Sequence, residues 1–516
     1  MPTAHSWTDV AAARGELVRA VADTRELIRF RARTVRRRGA AGRSLAVLLA
    51  LSVAVAVVPA WAPGAGGGDE AFGVLLVLPS MLAGFLVLAV VSAVASGGGR
   101  ELLARDHAVA FPVSPTTDHL GALVMAPLNI AWILQAWTLL GAGAYALGPG
   151  GLPYLLPATL LWIVAATALA QVVAWTTEAV RRGPRGAWIV RGLATALLVT
   201  AVSLQLSGRL TDVFDAMPTR HLLVSSVSML DGFTWTWPVT IVLEVLLVVA
   251  SVVVGIWPAH VASKRVPRDE LRIESGSHPS RPDTRADVAM LVRIDRASIW
   301  RSVPMRRGLI VLAVGPGAIA LAGGLTWSQI AVLPGLVASG GALLFGVNAW
   351  CLDGRGALWR ESLPVPPSAV FAARSWVLAE WLLLGAVVTV VLASLRAGTP
   401  TGAETTAISC TLVVVVAQVV AVAMGWSGRR PFSVDMRSAR ATPAPPLVMV
   451  GYSTRLAVST TLTGLVFSGL ALVPEWWVSL VGTVPFLAWS TYRLLRAHRR
   501  WTDAPERARA VMTVAA

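Results

Sequence analysis

Twelve apolar segments alternate with short polar or basic segments along the chain. Their approximate limits are 44–63, 71–95, 120–147, 153–178, 187–206, 238–257, 309–326, 328–351, 369–395, 406–427, 448–472 and 476–492. Each has about 17–28 residues, enough for an α-helix to cross a hydrocarbon core of ~30 Å. The pattern predicts an all-α, polytopic integral membrane protein with twelve transmembrane helices.

The basic residues predict the orientation of these helices. Of the 44 Lys and Arg residues, all except Arg209, Arg220 and Arg396 fall in segments that a twelve-span topology places on one side of the membrane. Short loops rich in Lys and Arg stay in the cytoplasm, and an Arg at mid-bilayer costs about 2.5–3.5 kcal/mol on insertion scales. We therefore expect a multi-pass protein of the inner (plasma) membrane with both termini in the cytoplasm.

The composition agrees with a membrane protein. Apolar residues make up 55% of the chain and charged residues 14%, whereas a soluble domain has about a quarter of its residues charged. The net charge of +16 raises nucleic acid as a possible partner. The Arg residues, however, lie beside apolar segments rather than on a compact basic face with interleaved aromatics. We therefore expect these Arg residues to contact the anionic inner leaflet of a lipid bilayer. We expect no nucleic acid as a partner.

The chain repeats its landmarks, which predicts two duplicated six-helix halves. Each half begins with an amphipathic basic segment, 14–38 or 284–307, expected to form a helix in the cytoplasmic interface. Each half also contains Ala-Gln-Val-Val, at 170–173 or 417–420, followed by Trp and an Arg pair. Shared landmarks in the same order favour internal duplication. The predicted organisation is an N-terminal cytoplasmic segment 1–43, a first half 44–258, a cytoplasmic linker 259–307, a second half 308–492 and a cytoplasmic tail 493–516.

The second amphipathic segment and the segment between the fifth and sixth spans each allow a more detailed prediction. In the second amphipathic segment, the apolar side is formed by Val288, Leu291, Ile294 and Ile299. Between the fifth and sixth spans, the first half has residues 206–237, whereas the second has only Val473, Pro474 and Glu475. An external cap or re-entrant element is therefore expected from the first half alone.

A charged loop ending in a proline motif follows the second span of each half. The first motif is Phe111-Pro112-Val113-Ser114-Pro115, and the second is Leu363-Pro364-Val365-Pro366-Pro367. Because Pro is accommodated at the first position of a helix, Pro115 and Pro367 are each predicted to begin one. Prolines that only separate two helices are the alternative, but their recurrence beside charged residues favours a docking surface. The charged residues are Arg100, Glu101, Arg105 and Asp106 in the first loop and Asp353, Arg355, Arg360 and Glu361 in the second.

These features resemble the membrane subunits of ABC-2-type exporters. That family has six spans per half, an amphipathic connecting helix before the first, and a charged loop ending in a Leu-Pro-x-Ser motif. The resemblance implies that this loop forms the coupling helix received by an ATPase. It places the coupling helices at Phe111, Pro112, Val113 and Ser114 and again at Leu363, Pro364 and Val365. Phe111 stands where the family has Leu, and Pro366 replaces its Ser or Thr.

The chain has no motif for nucleotide or metal chemistry. Its single lysine, Lys264, is not part of the G-x-x-x-x-G-K-[ST] motif that cradles phosphates. Its seven His residues show no metal-ligand spacing. We therefore expect no catalytic residue, no cofactor and no metal in this chain. The resemblance implies that ATP is bound by a separate P-loop ATPase subunit, in two copies because the chain supplies both loops.

Polar residues inside the apolar segments are candidates for a transport path. They are Asn129, Gln135, Gln171, Glu244, Asn348, Glu380 and Gln418. Ionisable groups within a membrane are functional candidates because an unpaired charge in lipid is unfavourable by several kcal/mol. The alternative is that these residues pair between helices or reach the interface.

Three functions remain open at this level. The first is the permease of an ABC-2-type exporter that moves a hydrophobic or amphipathic substrate outward. The second is a proton-coupled secondary transporter in which Glu244 or Glu380 relays protons, since twelve spans in a repeat also suit that class. The major-facilitator pattern G-x-x-x-D-x-x-G-R is absent after the second span, however. The third is a membrane scaffold that transports nothing.

Overall fold

The computed structural model describes residues 4–34, 38–95, 113–128, 130–265, 286–433, 443–444 and 446–515. Within these residues the regular secondary structure is helical throughout, so the predicted all-α class is confirmed. The chain divides into two compact units, Met1–Ser277 and His278–Ala516. The division falls within the segment 259–307 that the sequence predicts as a linker.

The first unit is organised around one long helical segment. Its helices are α1 (Ala4–Thr34), α2 (Arg38–Val57), α3 (Asp69–Ala95), α4 (Pro115–Met125), α5 (Ile130–Arg181), α6 (Gly186–Leu206), α7 (Leu210–Asp215), α8 (Thr219–Ser228) and α9 (Thr236–Ser263). Short 3₁₀ helices, Val58–Trp61 and Ala126–Leu128, follow α2 and α4. α5 packs against α2, α3, α8 and α9. The core of this unit contains Leu82, Phe85 and Ile163, each at most 2% exposed.

α5 is a helical hairpin rather than one straight helix. At Gly148 the backbone leaves the helical region, with φ 63° and ψ −170°. Trp132 and Thr167 are 35 residues apart, which would separate them by about 52 Å along a straight helix. Instead, Trp132 Nε1 donates a hydrogen bond to Thr167 Oγ1 at 2.8 Å. The turn at Gly148 lies between the predicted spans 120–147 and 153–178 and separates two antiparallel arms.

Residues 206–237 form two short helices, α7 and α8, that pack on the first unit. α8 contacts α3, α5 and α9 and buries Leu222, Leu223 and Ser226. Beside it, Ser80 of α3 donates a hydrogen bond to Asp215 Oδ1 at 3.5 Å. The segment predicted as a cap or re-entrant element is therefore an ordered part of this unit.

The second unit encloses one nearly fully buried helix. Its helices are α10 (Asp287–Arg301), α11 (Val303–Gly323), α12 (Trp327–Ile330), α13 (Leu333–Ala342), α14 (Ala357–Glu361), α15 (Pro367–Ser394), α16 (Gly402–Arg429), α17 (Pro446–Leu470), α18 (Trp476–Thr502) and α19 (Ala504–Ala515). Two 3₁₀ helices, Gly346–Leu352 and Gly354–Gly356, precede α14. α16 packs against α13, α15, α17 and α18, and Val414, Val415 and Val419 on it are completely buried.

α10 lies almost perpendicular to the helix that follows it. The axis of Asp287–Arg301 makes an angle of 82° with that of Met305–Leu321, as expected for an amphipathic helix that precedes a span. Its buried residues are Leu291, Val292, Asp295 and Ile299. Val288 and Ile294, which the periodicity placed on the apolar side, are 40% and 44% exposed. The buried face is rotated relative to the predicted one because α10 packs against α15.

The predicted span 328–351 is broken into pieces. It consists of α12, α13 and the 3₁₀ helix Gly346–Leu352, with a bend of 42° before the 3₁₀ helix. Within that last piece, the backbone of Asn348 is non-helical, with φ −146° and ψ 74°. Small residues permit close packing here: a Cβ on Gly335 would lie 2.8 Å from the carbonyl oxygen of Thr460. One continuous helix was therefore the wrong expectation for this segment.

Six helices in the described residues are long and apolar enough to cross a membrane. They are Asp69–Ala95, Trp132–Arg181, Gly186–Gln205, Thr236–Ser263, Pro367–Ser394 and Gly402–Arg429, with the α5 hairpin counted once. The bent pairs Asp287–Arg301 with Met305–Leu321 and Trp327–Ala342 with Gly346–Leu352 would raise this number to eight. By helix length and composition, the chain is a multi-pass membrane protein. The total of twelve spans and the internal duplication stay predictions.

Candidate functional site

Both proline motifs begin a helix, as the sequence predicts. Ser114 caps the N-terminus of α4, with its side chain accepting a hydrogen bond from the backbone N–H of Thr117 at 3.0 Å, and Pro115 occupies the first turn. Pro366 caps α15 in an extended conformation, φ −64° and ψ 138°, and Pro367 follows in the first turn. Pro366 has no side-chain hydrogen bond to offer, so the second motif is capped by backbone geometry alone.

The first charged loop lies largely outside the described residues. Arg100, Glu101, Arg105, Asp106, Phe111 and Pro112 are not described, and Val113 and Ser114 are half-buried. Behind them, Thr116 Oγ1 of α4 donates a hydrogen bond to Glu16 Oε1 of α1 at 2.5 Å. His260 Nε2 lies 3.2 Å from the same oxygen. An acidic residue of the amphipathic helix α1 thus contacts the helix that follows the first proline motif.

The second charged loop is held by a largely buried network of two acidic and two basic side chains, Asp295, Asp353, Arg360 and Arg374, called here the Arg374 network. Arg374 donates from Nε to Asp295 Oδ2 at 2.8 Å and from Nη2 to Asp295 Oδ1 at 3.1 Å. It also donates from Nη2 to Asp353 Oδ1 at 2.8 Å and from Nη1 to the carbonyl oxygen of Ala349. Arg360 Nη1 donates to Asp295 at 3.0 Å and to Asp353 at 2.5 Å. The network therefore joins α10, the loop and α15.

Burial makes this network a strong positional constraint. The side chain of Arg374 is fully buried and that of Asp295 is 1% exposed. Burial acts to raise the pKa of Asp295, but the guanidinium groups of Arg374 and Arg360 outweigh it and hold this pKa below its ordinary value. The two positive and two negative charges sum to zero. Removing one partner of a buried ion pair costs about 3–5 kcal/mol because the remaining charge is left unpaired.

The short helix α14 of the second loop exposes two large apolar side chains. Trp359 and Leu358 are 69% and 54% exposed, and Pro364 is exposed between the half-buried Leu363 and Val365. Glu361 Oε1 accepts a hydrogen bond from Arg507 Nε of α19 at 2.7 Å. The side chain of Arg355 lies outside the described residues. Asp353 and Arg360 were predicted to lie on the docking surface. Instead, their charged groups pair within the Arg374 network and hold the loop in place.

Three transport-path candidates connect elements of the second unit. Glu380 is paired with Arg296 of α10, with Arg296 Nη2 at 2.7 Å from Oε2. Asn348 Nδ2 donates to the carbonyl oxygens of Phe432 and Pro443 at 2.8 and 3.1 Å. Gln418 Oε1 accepts from Thr463 Oγ1 at 3.1 Å, which links α16 to α17. These contacts agree with the alternative that such residues pair between elements.

Glu244 differs from the other candidates. It lies on α9, is 6% exposed, and neither carboxylate oxygen has a hydrogen-bond partner among the described residues. An ionised carboxylate buried without a partner is unfavourable in an apolar environment. Gln135 is half-buried and Gln171 is buried, while Asn129 lies outside the described residues. Glu244 is therefore the transport-path candidate whose burial is not explained by a structural pairing.

Sequence reasoning did not identify Asp295 as a site residue. Its signal was present, however, because Leu291, Asp295 and Ile299 follow one another at a spacing of four and lie on one face of a helix. An acidic residue within an apolar stripe indicates a buried ion pair. The identity of its partners, Arg360 and Arg374, depends on the packing of α10 against α15. That packing is not encoded in the local pattern.

The described residues contain no group of three or more His, Cys, Asp or Glu side chains able to hold a metal ion. No family model matches the chain, and no curated protein or solved structure is significantly similar to it. The fold defines the class as a multi-pass, helical membrane protein, and the site is a loop held to two helices by buried ion pairs.

Proposed function

We propose that this chain is the permease of an ABC-2-type exporter, with twelve spans in two duplicated halves and both termini in the cytoplasm of the plasma membrane. It moves a hydrophobic or amphipathic substrate outward. ATP is bound by separate P-loop ATPase subunits, two per chain, and the Arg residues beside the spans meet the anionic inner leaflet.

One observation carries this proposal: the second proline loop is a short helix fixed at both sides and exposed at its tip. The Arg374 network ties Asp353 and Arg360 to α10 and α15, so motion imposed on the loop is passed to both helices. α14 presents Trp359 and Leu358 outward. Because Trp is enriched among the residues that dominate protein interfaces, this exposed indole suits a contact with an ATPase subunit.

Trp359→Ala tests this contact. We expect the parent chain, purified in mild detergent, to bring a P-loop ATPase with it and to show no ATP hydrolysis without that subunit. Because exposed Trp residues often dominate the energetics of an interface, Trp359→Ala should lower the amount of co-purified ATPase by about tenfold, a loss of ~1.4 kcal/mol.

The matched control is Trp188→Ala, which removes an indole that is 76% exposed on α6. It should leave ATPase recovery unchanged, and both variants should accumulate normally because neither residue is buried. Recovery of no ATPase with the parent chain, or equal recovery with Trp359→Ala, would contradict the proposed coupling.

Glu244 supports a second candidate function, proton-coupled transport. A carboxylate on α9 that is buried and has no partner among the described residues can alternate between protonated and ionised forms when it becomes accessible to water. In a proton-coupled transporter, Glu244→Gln should abolish transport and its pH dependence, because the amide cannot release a proton. In an ATP-driven exporter the same variant should cost little.

Transport measured with Glu244→Gln and with Pro364→Ala separates the two candidates. Pro364 is exposed in the loop, and its substitution alters a turn rather than a span. Loss of activity in Pro364→Ala alone supports the exporter. Loss of activity in Glu244→Gln alone, with Pro364→Ala equal to the parent, supports proton coupling.

A further inference from the structure

Five arginines of α16, α17 and α18 form a positively charged cluster in the second unit, called here the Arg429 cluster. Arg429 is the last residue of α16. The guanidinium groups that repel it belong to Arg455 on α17 and to Arg493, Arg496 and Arg500 on α18. Arg493 is also repelled by Arg455. Three helices therefore bring five like charges within electrostatic reach of one another.

The packing of α16 against α18 creates this cluster. A Cβ on Gly425 of α16 would lie 3.9 Å from the Cβ of Ala497 on α18, so the two helices approach closely one turn before Arg429. Arg493 and Arg500 lie on the same face of α18 as Ala497, because residues three or four apart are neighbours on a helix. α17 packs against both α16 and α18 and adds Arg455.

No carboxylate among the described residues forms an ion pair with the Arg429 cluster. The acidic residues that follow α18 in the chain are Asp503 and Glu506. Asp503 Oδ2 accepts a hydrogen bond from the backbone N–H of Glu506 at 3.4 Å, at the start of α19. Because like charges held together are unfavourable without counter-charges, the cluster differs from the neutral Arg374 network and favours an anionic partner.

The cluster is accessible and continues into an apolar surface. Arg455 and Arg496 are exposed. On α17, the exposed Val458 follows Arg455 by three residues and so shares its face. On α18, the exposed Trp489 and Tyr492 precede Arg496 by seven and four residues, and their rings stack at a centroid distance of 5.7 Å. Arg, Trp and Tyr beside apolar residues are typical of the level at which lipid headgroups meet a membrane helix.

We propose that the Arg429 cluster is a discrete binding site for the phosphate headgroup of an anionic phospholipid. Guanidinium groups bind phosphate oxygens through paired hydrogen bonds, and basic pockets between membrane helices bind such headgroups. The acyl chains lie along the exposed apolar side chains of α17 and α18. A soluble phosphate compound or an acidic protein surface would match the charge of the cluster but would leave this apolar surface without a partner.

The proposed site is more specific than a general attraction of basic segments to the inner leaflet. It predicts that one lipid stays bound to the second unit after the bilayer has been removed. The site does not depend on the proposed exporter function, because its residues belong neither to the proline loops nor to the transport-path candidates.

Native mass spectrometry of the purified full chain in a neutral detergent tests the site. The delipidated chain is mixed with phosphatidylglycerol, phosphatidylcholine or glycerol 3-phosphate in separate samples. We expect a single phosphatidylglycerol to be retained. Phosphatidylcholine should be retained much less because its headgroup has no net charge, and glycerol 3-phosphate should be lost because it has no acyl chain.

The double variant Arg455→Gln with Arg496→Gln should weaken the retention of phosphatidylglycerol by about tenfold, because two of the five charges are removed. Both side chains are exposed, and neither forms an ion pair with a described carboxylate. The substitutions relieve repulsion of Arg429, so the variant should remain folded.

Arg191→Gln is the matched control. Arg191 is an exposed arginine of α6 whose guanidinium lies 5.8 Å from the centroid of the Trp188 ring, and it is not part of the cluster. This variant should retain phosphatidylglycerol like the parent. An equal loss in Arg191→Gln and in the double variant would show unspecific attraction and overturn the proposal.

Three further results would also overturn the proposal. They are equal retention of phosphatidylglycerol by the parent and the double variant, equal retention of phosphatidylglycerol and phosphatidylcholine, and retention of glycerol 3-phosphate as strong as that of phosphatidylglycerol. Failure of the parent to retain any phosphatidylglycerol would overturn it as well and would leave an acidic protein surface as the partner of the cluster.

Discussion

Arg374 is a charged residue that lies in the core of this protein. It is among the largest completely buried side chains of the described chain, and each of its three guanidinium nitrogens donates to an acceptor. The guanidinium of Arg374 lies over the indole ring of Trp350, with 5.4 Å between Cζ and the ring centroid. A guanidinium satisfied in this way holds α10, the loop and α15 together, whereas a hydrophobic residue at the same place would leave Asp295 paired with Arg360 alone among the described residues.

Asp295→Asn should therefore destabilise the second unit strongly. The amide keeps the size of the side chain but removes one of the two carboxylates that neutralise Arg374 and Arg360, which leaves the network with an uncompensated positive charge. We expect a loss of about 3–5 kcal/mol of unfolding free energy. Thermal unfolding of the purified chain in detergent measures the effect.

Glu380→Gln is the comparison for that experiment. It breaks an ion pair with Arg296 in which the two side chains are 38% and 45% exposed, and solvent screening limits such a pair to about 0–1 kcal/mol. Equal destabilisation by the two substitutions would show that burial does not set the strength of the Arg374 network.

The turn of the α5 hairpin depends on the close approach of two glycines, Gly148 and Gly66. Gly148 has φ 63°, and a Cβ there would lie 3.1 Å from the Cα of Gly66. Gly148→Ala should lower the unfolding free energy by about 1–3 kcal/mol, because a side chain at positive φ is strained and the neighbouring backbone must move. The expected readout is a lower unfolding midpoint.

Gly67→Ala provides the control for this turn. Gly67 is next to Gly66 in the chain, but its φ is not positive and a Cβ would meet no atom within 4 Å. It should unfold like the parent. If Gly148→Ala also unfolded like the parent, the turn would tolerate a side chain and the hairpin would not rest on glycine.

Most helix limits could be predicted from apolar length alone. The segments 71–95, 187–206 and 369–395 correspond to α3, α6 and α15 within a few residues, because an uninterrupted apolar run has one favourable conformation in a membrane. The break in 328–351 could not be predicted, since it depends on contacts such as that of Gly335 with Thr460. These contacts join residues far apart in sequence.

The candidate site, too, could be predicted from the sequence only in part. Helix starts at Pro115 and Pro367 follow from a local property of proline, and the structure confirms them. The pairing of Asp295 with Arg374 required knowledge of which face of α10 meets α15. Local patterns therefore located the loop but not the contacts that hold it.

For the whole molecule, the orientation in the membrane can be tested at one natural position. Lys264 is the only lysine and is exposed just after the last helical residue of α9. A membrane-impermeant amine reagent should leave it unmodified in intact cells and modify it in inside-out vesicles, because the basic segments stay in the cytoplasm.

The variant Arg220→Lys supplies the opposite control. Arg220 is exposed on α8, in the segment expected outside, so the new amine should react in intact cells. Peptide mass spectrometry distinguishes the two positions. Modification of Lys264 in intact cells would reverse the predicted topology and remove the coupling-loop assignment with it.

The Arg374 network also sets an order of events during synthesis. Asp295 and Arg374 are separated by 79 residues, so at about 5–20 residues per second a ribosome needs about 4–16 s to make the second partner after the first. During that interval Asp295 has no guanidinium from α15 to neutralise it, while the apolar segments between them leave the ribosome. We expect the carboxylate to stay in water during this interval, because an unpaired charge in lipid is unfavourable. This should keep α10 from entering the bilayer with the segments that follow it until nascent α15 supplies the guanidinium of Arg374.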